Sequence, residues 1–330
     1  MAGSISAGRG WLPCSHRVIQ RFSKYTMLCL PAQCPRRLTR IDENRTMHMQ
    51  LDDSEVKPMG QPTVSVVIPV WNGEKVIESC LNSVTGQSLR DMEIIVVDDG
   101  STDGTARVLR RLAEQDSRIR VIRQQNAGVS AARNAGIAAC KGEYIRFVDA
   151  DDTLPSGSMA HLVERMRETD SDLVLAAYNE IVGPAHRERC LVKSDDTMGV
   201  DDILPSLNRY ANSFFYGVLW NKLFRRDIVQ EKDVRFVSGL NWGEDFAFVC
   251  AYLAYARRVT YSSRAVYDYR RNPGGMTAHQ VLDSVLHPIR NCRMKYFLYQ
   301  RLKELFVSRG VYPAYRKTLW LYLVRVTINN

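Results

Sequence analysis

Three carboxylates lie within four positions at the end of one predicted strand. Asp149, Asp151 and Asp152 follow an apolar run that begins at Tyr144. Negative charge gathered at the end of a buried strand costs free energy unless a cation neutralises it. Mg²⁺ and Mn²⁺ suit this position because they take oxygen ligands and bridge to substrate phosphates. Alternatively, one aspartate caps the helix predicted near Pro155, but capping needs one carboxylate and three favour a metal site.

An acidic pair follows another predicted strand. Asp98 and Asp99 end the apolar run that starts at Glu93. Ser101 or Asp103 could cap the next helix, and capping alone would explain one acidic residue at this place. It does not explain the pair at the strand end. A carboxylate there could accept a hydrogen bond from the imide N–H group of a nucleobase such as uracil.

Two further clusters belong to the same half of the chain. Pro69, Trp71 and Asn72 follow the first strand, although asparagine followed by glycine is also typical of a plain turn. Gly128 precedes an alanine-rich helix and allows close approach of the backbone to a ligand. Arg133 in that helix could reach a diphosphate. It could equally be a surface arginine on a helix that packs closely against the sheet.

Strands and helices alternate from Thr63 onward, and this alternation must position the four clusters. The predicted strands are Val64–Ile68, Glu93–Val97, Ile119–Ile122, Tyr144–Val148 and Asp172–Ala177. The predicted helices are Val76–Val84, Thr105–Gln115, Ala127–Ala139 and Met159–Met166. The pattern predicts an α/β fold with an open, mostly parallel, Rossmann-like sheet flanked by helices on both faces. Ligands of such sheets bind beyond the carboxyl ends of the strands, where the clusters lie.

Composition excludes several classes of protein. The chain has no G-x-G-x-x-G and no G-x-x-x-x-G-K-[ST] motif, so the usual dinucleotide and P-loop sites lose their main support. Its eight cysteines are scattered without a C-x-x-C pair, which argues against a zinc site and for reduced thiols. No run of 18 apolar residues occurs, so we predict no membrane-spanning helix. The prediction of a cytoplasmic protein rests on the reduced thiols.

The chain divides into three predicted regions. Residues 1–60 show no sustained period and should form a poorly ordered extension. Residues 61–280 form the main domain, which divides into the half at 61–180 that carries the four clusters and the half at 181–280. Residues 281–330 form a helical tail with nine Lys/Arg, two Asp/Glu and many aromatic residues.

The basic tail has two interpretations that the sequence leaves open. Basic and aromatic residues at helical spacing suit contact with an anionic membrane surface, peripheral on the inner face of the cell membrane. They equally suit a helix packed on the core with a solvated basic face. Nucleic acid is not expected as a partner, because no recognised binding module appears.

Four of the motifs resemble glycosyltransferase family 2, which has the GT-A fold. They are Val64–Asn72, Asp98–Asp103, Asn126–Gly136 and Phe147–Asp152, in that order. The resemblance implies a nucleotide-sugar donor, most simply a UDP-sugar, a divalent metal, and inversion at the anomeric carbon. It identifies Asp99 with the family's base-binding aspartate. It identifies Asp149, Ala150 and Asp151 with the D-x-D metal motif, which Asp152 extends.

Further motifs resemble the bacterial branch of the family, which builds cell-envelope polysaccharides on saccharide or lipid-linked saccharide acceptors. Glu244 and Asp245 resemble its E-D motif, which implies that Asp245 is the catalytic base. The other interpretation is an acidic first turn on the predicted helix Phe246–Ala256. Arg270 belongs to a segment that resembles Y-x-Y-R, and the following Gly274–Thr277 is predicted to form a flap.

Three more residues complete the predicted acceptor side. Trp220 and Trp242 would either stack on a sugar or belong to the core, and Lys222 lies in the same W-N-K motif as Trp220. Two other functions remain open. One is a non-catalytic sugar-nucleotide-binding protein, and the other is a metal-dependent nucleotidyltransferase. The latter class usually has a glycine-rich loop with a lysine near its first strand, where this chain has only Lys75.

Overall fold

The computed structural model describes residues 60–191, 194–210, 213–240, 242–271 and 288–328. The predicted N-terminal extension, apart from Gly60, lies outside the described residues. The predicted flap at Gly274–Thr277 also lies outside them.

Four parallel strands form the first half of the sheet, in the order β3-β2-β1-β4. Their bounds are β1 Val64–Val70, β2 Met92–Asp98, β3 Ile119–Arg123 and β4 Tyr144–Phe147. Every residue of β1 is buried, because helices cover both faces of the sheet. The prediction that Pro69 ends this strand is wrong. Pro69 lies within β1, in register with Val97 of β2.

Helices connect these strands and cover the two faces of the sheet. Their bounds are α1 Ile77–Thr85, α2 Thr105–Gln115, α3 Val129–Ala139 and α4 Ser158–Glu168. The small residues of α3 let it approach the sheet closely. A β-carbon added to Gly136 would lie 2.3 Å from Cγ1 of Val67, so a larger residue could not be accommodated there without movement.

The second half extends the same sheet in the order β4-β8-β5-β9-β7, with β6 paired to β5. The bounds are β5 Leu173–Val182, β6 Ala185–Arg189, β7 Thr197–Gly199, β8 Lys222–Arg225, β9 Arg258–Arg270, α5 Val200–Arg209, α6 Phe214–Gly217, α7 Arg226–Glu231 and α8 Glu244–Leu253. Strand β8 is antiparallel to both β4 and β5. The predicted α/β sheet is confirmed. The antiparallel strand β8 was not predicted, because its few residues show no hydrophobic period of their own.

Two helices follow, α9 Pro288–Ser308 and α10 Tyr312–Ile328, which confirms the helical C-terminal extension. Apolar side chains of α9 and α10 are buried in the core that also contains α8. These residues are Leu298, Tyr299, Leu302, Leu305, Phe306 and Leu319. Within the described residues, no helix is long and apolar enough to cross a membrane.

Candidate active site

The carboxyl ends of β1, β2 and β4 lie side by side and carry the predicted clusters. Val70 at the end of β1 is in register with Asp98 at the end of β2. Asp149 follows β4 by two residues, and the amide of Val148 donates to the carbonyl of Val67. The parallel sheet therefore brings together side chains that are far apart in sequence, as the strand pattern predicts.

The loop after β1 is joined to the loop after β2. The amide of Asn72 donates to Oγ of Ser101 at 2.9 Å, and Oδ1 of Asn72 accepts from the amide of Thr102 at 2.8 Å. Asn72 has a left-handed backbone with φ of 51°, which asparagine tolerates better than most residues. Trp71, just before it, is 59% exposed. An exposed indole beside a fixed loop is a ready stacking surface for a flat ligand.

Asp99 shapes the loop that leads into α3. Its Oδ1 accepts hydrogen bonds from Nε2 of Gln124 at 2.7 Å and from the amide of Ala127 at 2.9 Å. Its Oδ2 accepts from the amide of Gly128 at 2.8 Å. Gly128 has φ of 88°, a conformation that favours glycine. Sequence reasoning did not anticipate this structural role, and contact between Asp99 and a nucleobase remains a prediction.

Asp98 is buried beneath the same loop. Its Oδ1 accepts from the amide of Ser101 at 2.9 Å, and its Oδ2 lies 3.5 Å from Nε of Arg123. Asp103 accepts from the amide of Thr105 at 3.0 Å, where α2 begins. Hydrogen bonds from Thr105 lower the pKa of Asp103 despite the opposing effect of desolvation. Both residues hold the turn in place, which agrees with the capping interpretation, and a ligand contact of Asp98 stays a prediction.

The three aspartates after β4 differ in burial and in their hydrogen-bond partners. Asp152 is 2% exposed, and its two oxygens accept from the hydroxyl of Tyr267 at 2.8 Å and from the amide of Arg270 at 2.7 Å. Burial, followed by the charges of Asp149 and Asp151, raises the pKa of Asp152 to about 8. The hydroxyl of Tyr267 also accepts from the amide of Asp149 at 3.1 Å. Asp152 therefore anchors the end of β9 to the cluster.

The other two aspartates fit a magnesium or manganese ion better than Asp152 does. Asp151 is exposed, and the side chain of Asp149 is 30% exposed. In the part of the chain that the structure describes, no group of three or more His, Cys, Asp and Glu side chains converges as a metal site. A three-carboxylate site is therefore not formed. Magnesium commonly takes one or two carboxylates and completes its shell with water and substrate phosphates, which Asp149 and Asp151 could satisfy.

Glu244 and Asp245 begin α8, where the helix dipole favours negative charge. Gly243 precedes them with φ of 78°, so the chain turns sharply into the helix. The predicted acidic first turn is present. Its side chains do not point to open solvent, because Glu244 is buried and the Asp245 side chain is only 20% exposed.

Arg133 joins this turn to the cluster after β4. Its Nη1 donates to Oδ1 of Asp245 at 2.7 Å and to Oε1 of Glu244 at 3.0 Å, while Nη2 donates to Oδ1 of Asp149 at 2.9 Å. Arg133 is 3% exposed, so the interpretation of it as a surface arginine is wrong. Burial raises the pKa of Asp245 well above its usual value, Arg133 opposes this, and Glu244 and Asp149 add to it.

Trp220 belongs to the core. It is 3% exposed, with its ring stacked on Tyr267 at 4.4 Å and on Tyr269 at 5.5 Å between centroids. Both faces of the indole are therefore covered, and the predicted stacking of a sugar on Trp220 does not fit this packing. Trp242 is half-buried beside the core, immediately before the turn that carries Asp245.

Lys222 is also structural. It is fully buried, and its ammonium group donates to the carbonyl oxygens of Phe215 at 2.9 Å and Val218 at 2.5 Å and to Oδ1 of Asn221 at 2.8 Å. Burial lowers the pKa of Lys222 well below its usual value. The lysine satisfies carbonyls at the end of α6, so the predicted acceptor contact does not fit. The side chain of Arg270 is exposed at the end of β9 and stays a candidate.

Two solved structures share this fold. Staphylococcus aureus TarS 1-349 in complex with UDP-GlcNAc matches with a TM-score of 0.58 and 20% identity, covering 80% of this chain and 81% of that one. The mannosyltransferase PcManGT from Pyrobaculum calidifontis, in complex with GDP-Man and Mn²⁺, matches with a TM-score of 0.51 and 18% identity. That alignment covers 83% of this chain and 88% of the mannosyltransferase.

Sequence comparison gives the family. Uncharacterized glycosyltransferase EpsJ of Bacillus subtilis (strain 168) is 32% identical over 217 residues, covering 66% of this chain and 63% of that protein. Glycosyltransferase GlyG of Streptococcus pneumoniae is 30% identical over 223 residues, covering 64% of this chain and 72% of that protein. The chain thus spans less than two thirds of the length of EpsJ. Residues 65–231 match the model of glycosyl transferase family 2, and the chain belongs to this family.

Proposed function

We propose that the protein is an inverting glycosyltransferase that moves a sugar from a UDP-sugar to a hydroxyl group of a saccharide or lipid-linked saccharide. The observation that carries this proposal is that two carboxylates from different elements form ion pairs with the same arginine. Asp149, on the strand-end side, and Asp245, at the start of α8, both contact Arg133. A donor site and a base would then lie on adjoining sides of a single pocket.

The donor side is the edge formed by β1, β2 and β4. Trp71 is exposed there as a stacking surface for the base, and Asp99 and Gly128 shape the loop beside it. TarS was solved with UDP-GlcNAc on the same fold, which supports a UDP-sugar as the donor. Nucleotide binding is also proposed for Pro69 near the end of β1, Asn72 and Asp98 in the joined loops, and Ala150 after β4.

A divalent ion held by Asp149 and Asp151 would neutralise the charge that develops on the departing diphosphate. PcManGT was solved in complex with GDP-Man and Mn²⁺, which supports manganese or magnesium as the ion here. Asp152 would keep the cluster in place through Tyr267 and Arg270 rather than take the ion.

Asp245 would remove the proton from the acceptor hydroxyl as that oxygen attacks the anomeric carbon. The C–O bond to the diphosphate breaks as the new one forms, so a single displacement inverts the anomeric centre. The raised pKa of Asp245 suits a base, because a carboxylate with greater proton affinity takes a hydroxyl proton more readily. Glu244, half-buried Trp242 and exposed Arg270 would border the acceptor.

The face of α10 that carries Arg316, Lys317, Trp320 and Leu321 is proposed to touch an anionic membrane. All four side chains are exposed, and with Tyr299 and others they line an open groove. Cationic groups beside exposed indole and leucine side chains suit the boundary between lipid headgroups and acyl chains. This contact would bring a lipid-linked acceptor to the site.

Surface substitutions test the membrane contact better than truncation does, because the tail also forms part of the core. The variant in which Arg316 and Lys317 become glutamate and Trp320 becomes alanine should lose co-sedimentation with phosphatidylglycerol vesicles. Its melting temperature should stay near that of the unmodified protein. Retention of vesicle binding by this variant would remove the membrane proposal.

The test of the reaction is a panel of UDP-, GDP- and dTDP-sugars incubated with the protein and Mn²⁺. Metal-dependent release of a nucleoside diphosphate supports the proposal. Asp245→Asn should lower the rate by roughly 10²–10⁴, the scale of a general base, while UDP binding persists. Asp116→Asn, in an ion pair with Arg118 on the loop before β3, is the matched control and should keep full activity.

Other outcomes identify the two rival functions. Release of pyrophosphate when UTP and a sugar 1-phosphate are supplied instead of the nucleotide-sugar would indicate a nucleotidyltransferase. Binding of the nucleotide-sugar without turnover, with saccharide acceptors supplied, would indicate a non-catalytic binding protein. Near-full activity of Asp245→Asn would refute the assignment of the base.

A further inference from the structure

We propose that Arg133 is a positioning residue that holds the base Asp245 at a fixed distance from the donor-side carboxylate Asp149. The inference rests on the proposed function, since it concerns the same reaction. It replaces the sequence-based expectation that the arginine itself grips the diphosphate.

One guanidinium group donates hydrogen bonds to carboxylates on both sides. On the acceptor side, Nη1 donates to the carboxylates of Asp245 at 2.7 Å and Glu244 at 3.0 Å. On the donor side, Nη2 donates to the carboxylate of Asp149 at 2.9 Å. Glu244 and Asp245 lie at the start of α8, and Asp149 lies just after β4. In sequence, Arg133 is more than a hundred residues away from both Glu244 and Asp245. A planar, rigid fork fixes distance and angle together, as a flexible lysine does not.

The surroundings hold the guanidinium in place. Arg133 is 3% exposed, and its guanidinium carbon lies 5.4 Å from the ring centroid of Phe236. Phe236 is itself fixed, because its amide and carbonyl are both hydrogen-bonded to the side chain of Asn134, the next residue of α3. The arginine therefore cannot shift without disturbing the neighbouring turn.

These contacts favour positioning over ligand binding. Arg133 already makes three hydrogen bonds to carboxylates of the protein and is 3% exposed, so a diphosphate has little access to its remaining N–H groups. Asp245 accepts from the arginine through Oδ1, and Oδ2 would be the oxygen that takes the proton. Without the arginine, three carboxylates would repel one another, and Asp245 would move from its place.

The test compares Arg133→Met and Arg133→Lys in the native sequence and in the Asp245→Asn background. UDP affinity is measured by calorimetry with Mn²⁺, and turnover by UDP release from UDP-GlcNAc. Arg133→Met should bind UDP within about threefold of the native affinity and lose turnover by roughly 10²-fold, the scale expected for a base misplaced by about 1 Å. In the Asp245→Asn background the same change should cost less than about threefold, because the base is already absent.

Arg133→Lys keeps the charge and distinguishes geometry from electrostatics. It should recover less than about a tenth of the native turnover, since an ammonium cannot bridge the carboxylates as a fork. Arg111→Met is the matched control, because Arg111 forms an exposed ion pair with Glu78 away from the site. This control should retain full turnover and affinity.

Two results would overturn the inference. The first is a loss of UDP affinity as large as the loss of turnover, which would make Arg133 a diphosphate ligand. The second is an equal loss of turnover in both backgrounds, which would make its effect independent of Asp245.

Thermal unfolding separates this inference from the proposed function. Arg133→Met should lower the melting temperature more in the native sequence than in the Asp245→Asn background, because fewer buried charges are left unpaired in the latter. This difference is expected even if UDP-GlcNAc is not turned over, a result that would count against the proposed function. Equal shifts in the two backgrounds would show that the residues are not coupled and would overturn the inference.

Discussion

Leu298 of α9 lies directly against Gly243, the residue before the acidic pair. A β-carbon added to Gly243 would lie 2.7 Å from Cδ1 of Leu298. Helix α9 therefore supports the turn that carries Asp245, and the turn requires a residue without a side chain.

Gly243→Ala should destabilise the protein and lower its activity. The φ of 78° disfavours alanine, and the contact with Leu298 adds overpacking, for a total of about 2 kcal/mol or more. Differential scanning calorimetry should show a lower melting temperature, and UDP release should fall with it. Gly239→Ala is the control, since Gly239 has the same φ but open space around it. Equal effects of the two substitutions would show that contact with Leu298 does not matter.

Trp71→Ala should weaken nucleotide binding without loss of stability. The indole is 59% exposed, so little packing is lost, whereas stacking on a base contributes about 1–3 kcal/mol. Calorimetry with UDP should show a roughly 5- to 150-fold increase in Kd. Tyr255→Ala, which removes another exposed ring at the far end of α8, should change neither property. Unchanged UDP affinity in Trp71→Ala would remove this tryptophan from the donor site.

Asp151→Asn should weaken metal-dependent UDP binding, whereas Asp152→Asn should lower the stability of the protein. Asp151 is exposed, so its substitution should leave the melting temperature unchanged and weaken UDP binding in the presence of Mn²⁺ by about tenfold. Asp152→Asn places an amide group where two donors already point, and should cost about 1–3 kcal/mol of stability. The measurements are thermal unfolding and UDP titration with and without EDTA. A stable Asp152→Asn variant with lost Mn²⁺ dependence would make Asp152 the ligand.

Lys222→Met should lower stability and leave UDP affinity intact. Loss of the ammonium group would remove the buried donor to the carbonyl of Val218 and to Oδ1 of Asn221, while the carbonyl of Phe215 would keep its hydrogen bond from Nδ2 of Asn221. Thermal unfolding should therefore shift downward by several degrees for a loss of about 1–3 kcal/mol. Lys232→Met, at an exposed position after α7, is the control. A variant of normal stability that loses transfer to a saccharide acceptor would restore Lys222 to the acceptor site.

Local pattern predicted most of the first half of the fold. Helix α2 has the predicted bounds Thr105–Gln115, because its apolar residues keep a helical period and turns lie on both sides. The carboxyl ends of β1, β2 and β4 follow from the strand alternation. Strand β8 did not, since four residues carry no distinctive period and their partners are set by tertiary structure.

The pairing within the site was beyond sequence reasoning for a different reason. Arg133 and Asp245 are 112 residues apart, so no local spacing in the sequence predicts their contact. Charged Lys222 reads as a surface or ligand residue, yet the end of α6 supplies buried carbonyls for it. For Trp220 the sequence left sugar stacking and the core as alternatives, and its packing against two tyrosines of β9 decides for the core.

The most direct measurement of the central claim is the position of manganese in crystals grown with UDP and Mn²⁺. An anomalous difference map should show one peak at about 2.0–2.2 Å from a carboxylate oxygen of Asp151, bridging to the diphosphate, with the uracil against Trp71. A peak far from Asp149 and Asp151, or UDP bound away from the ends of β1, β2 and β4, would contradict the account.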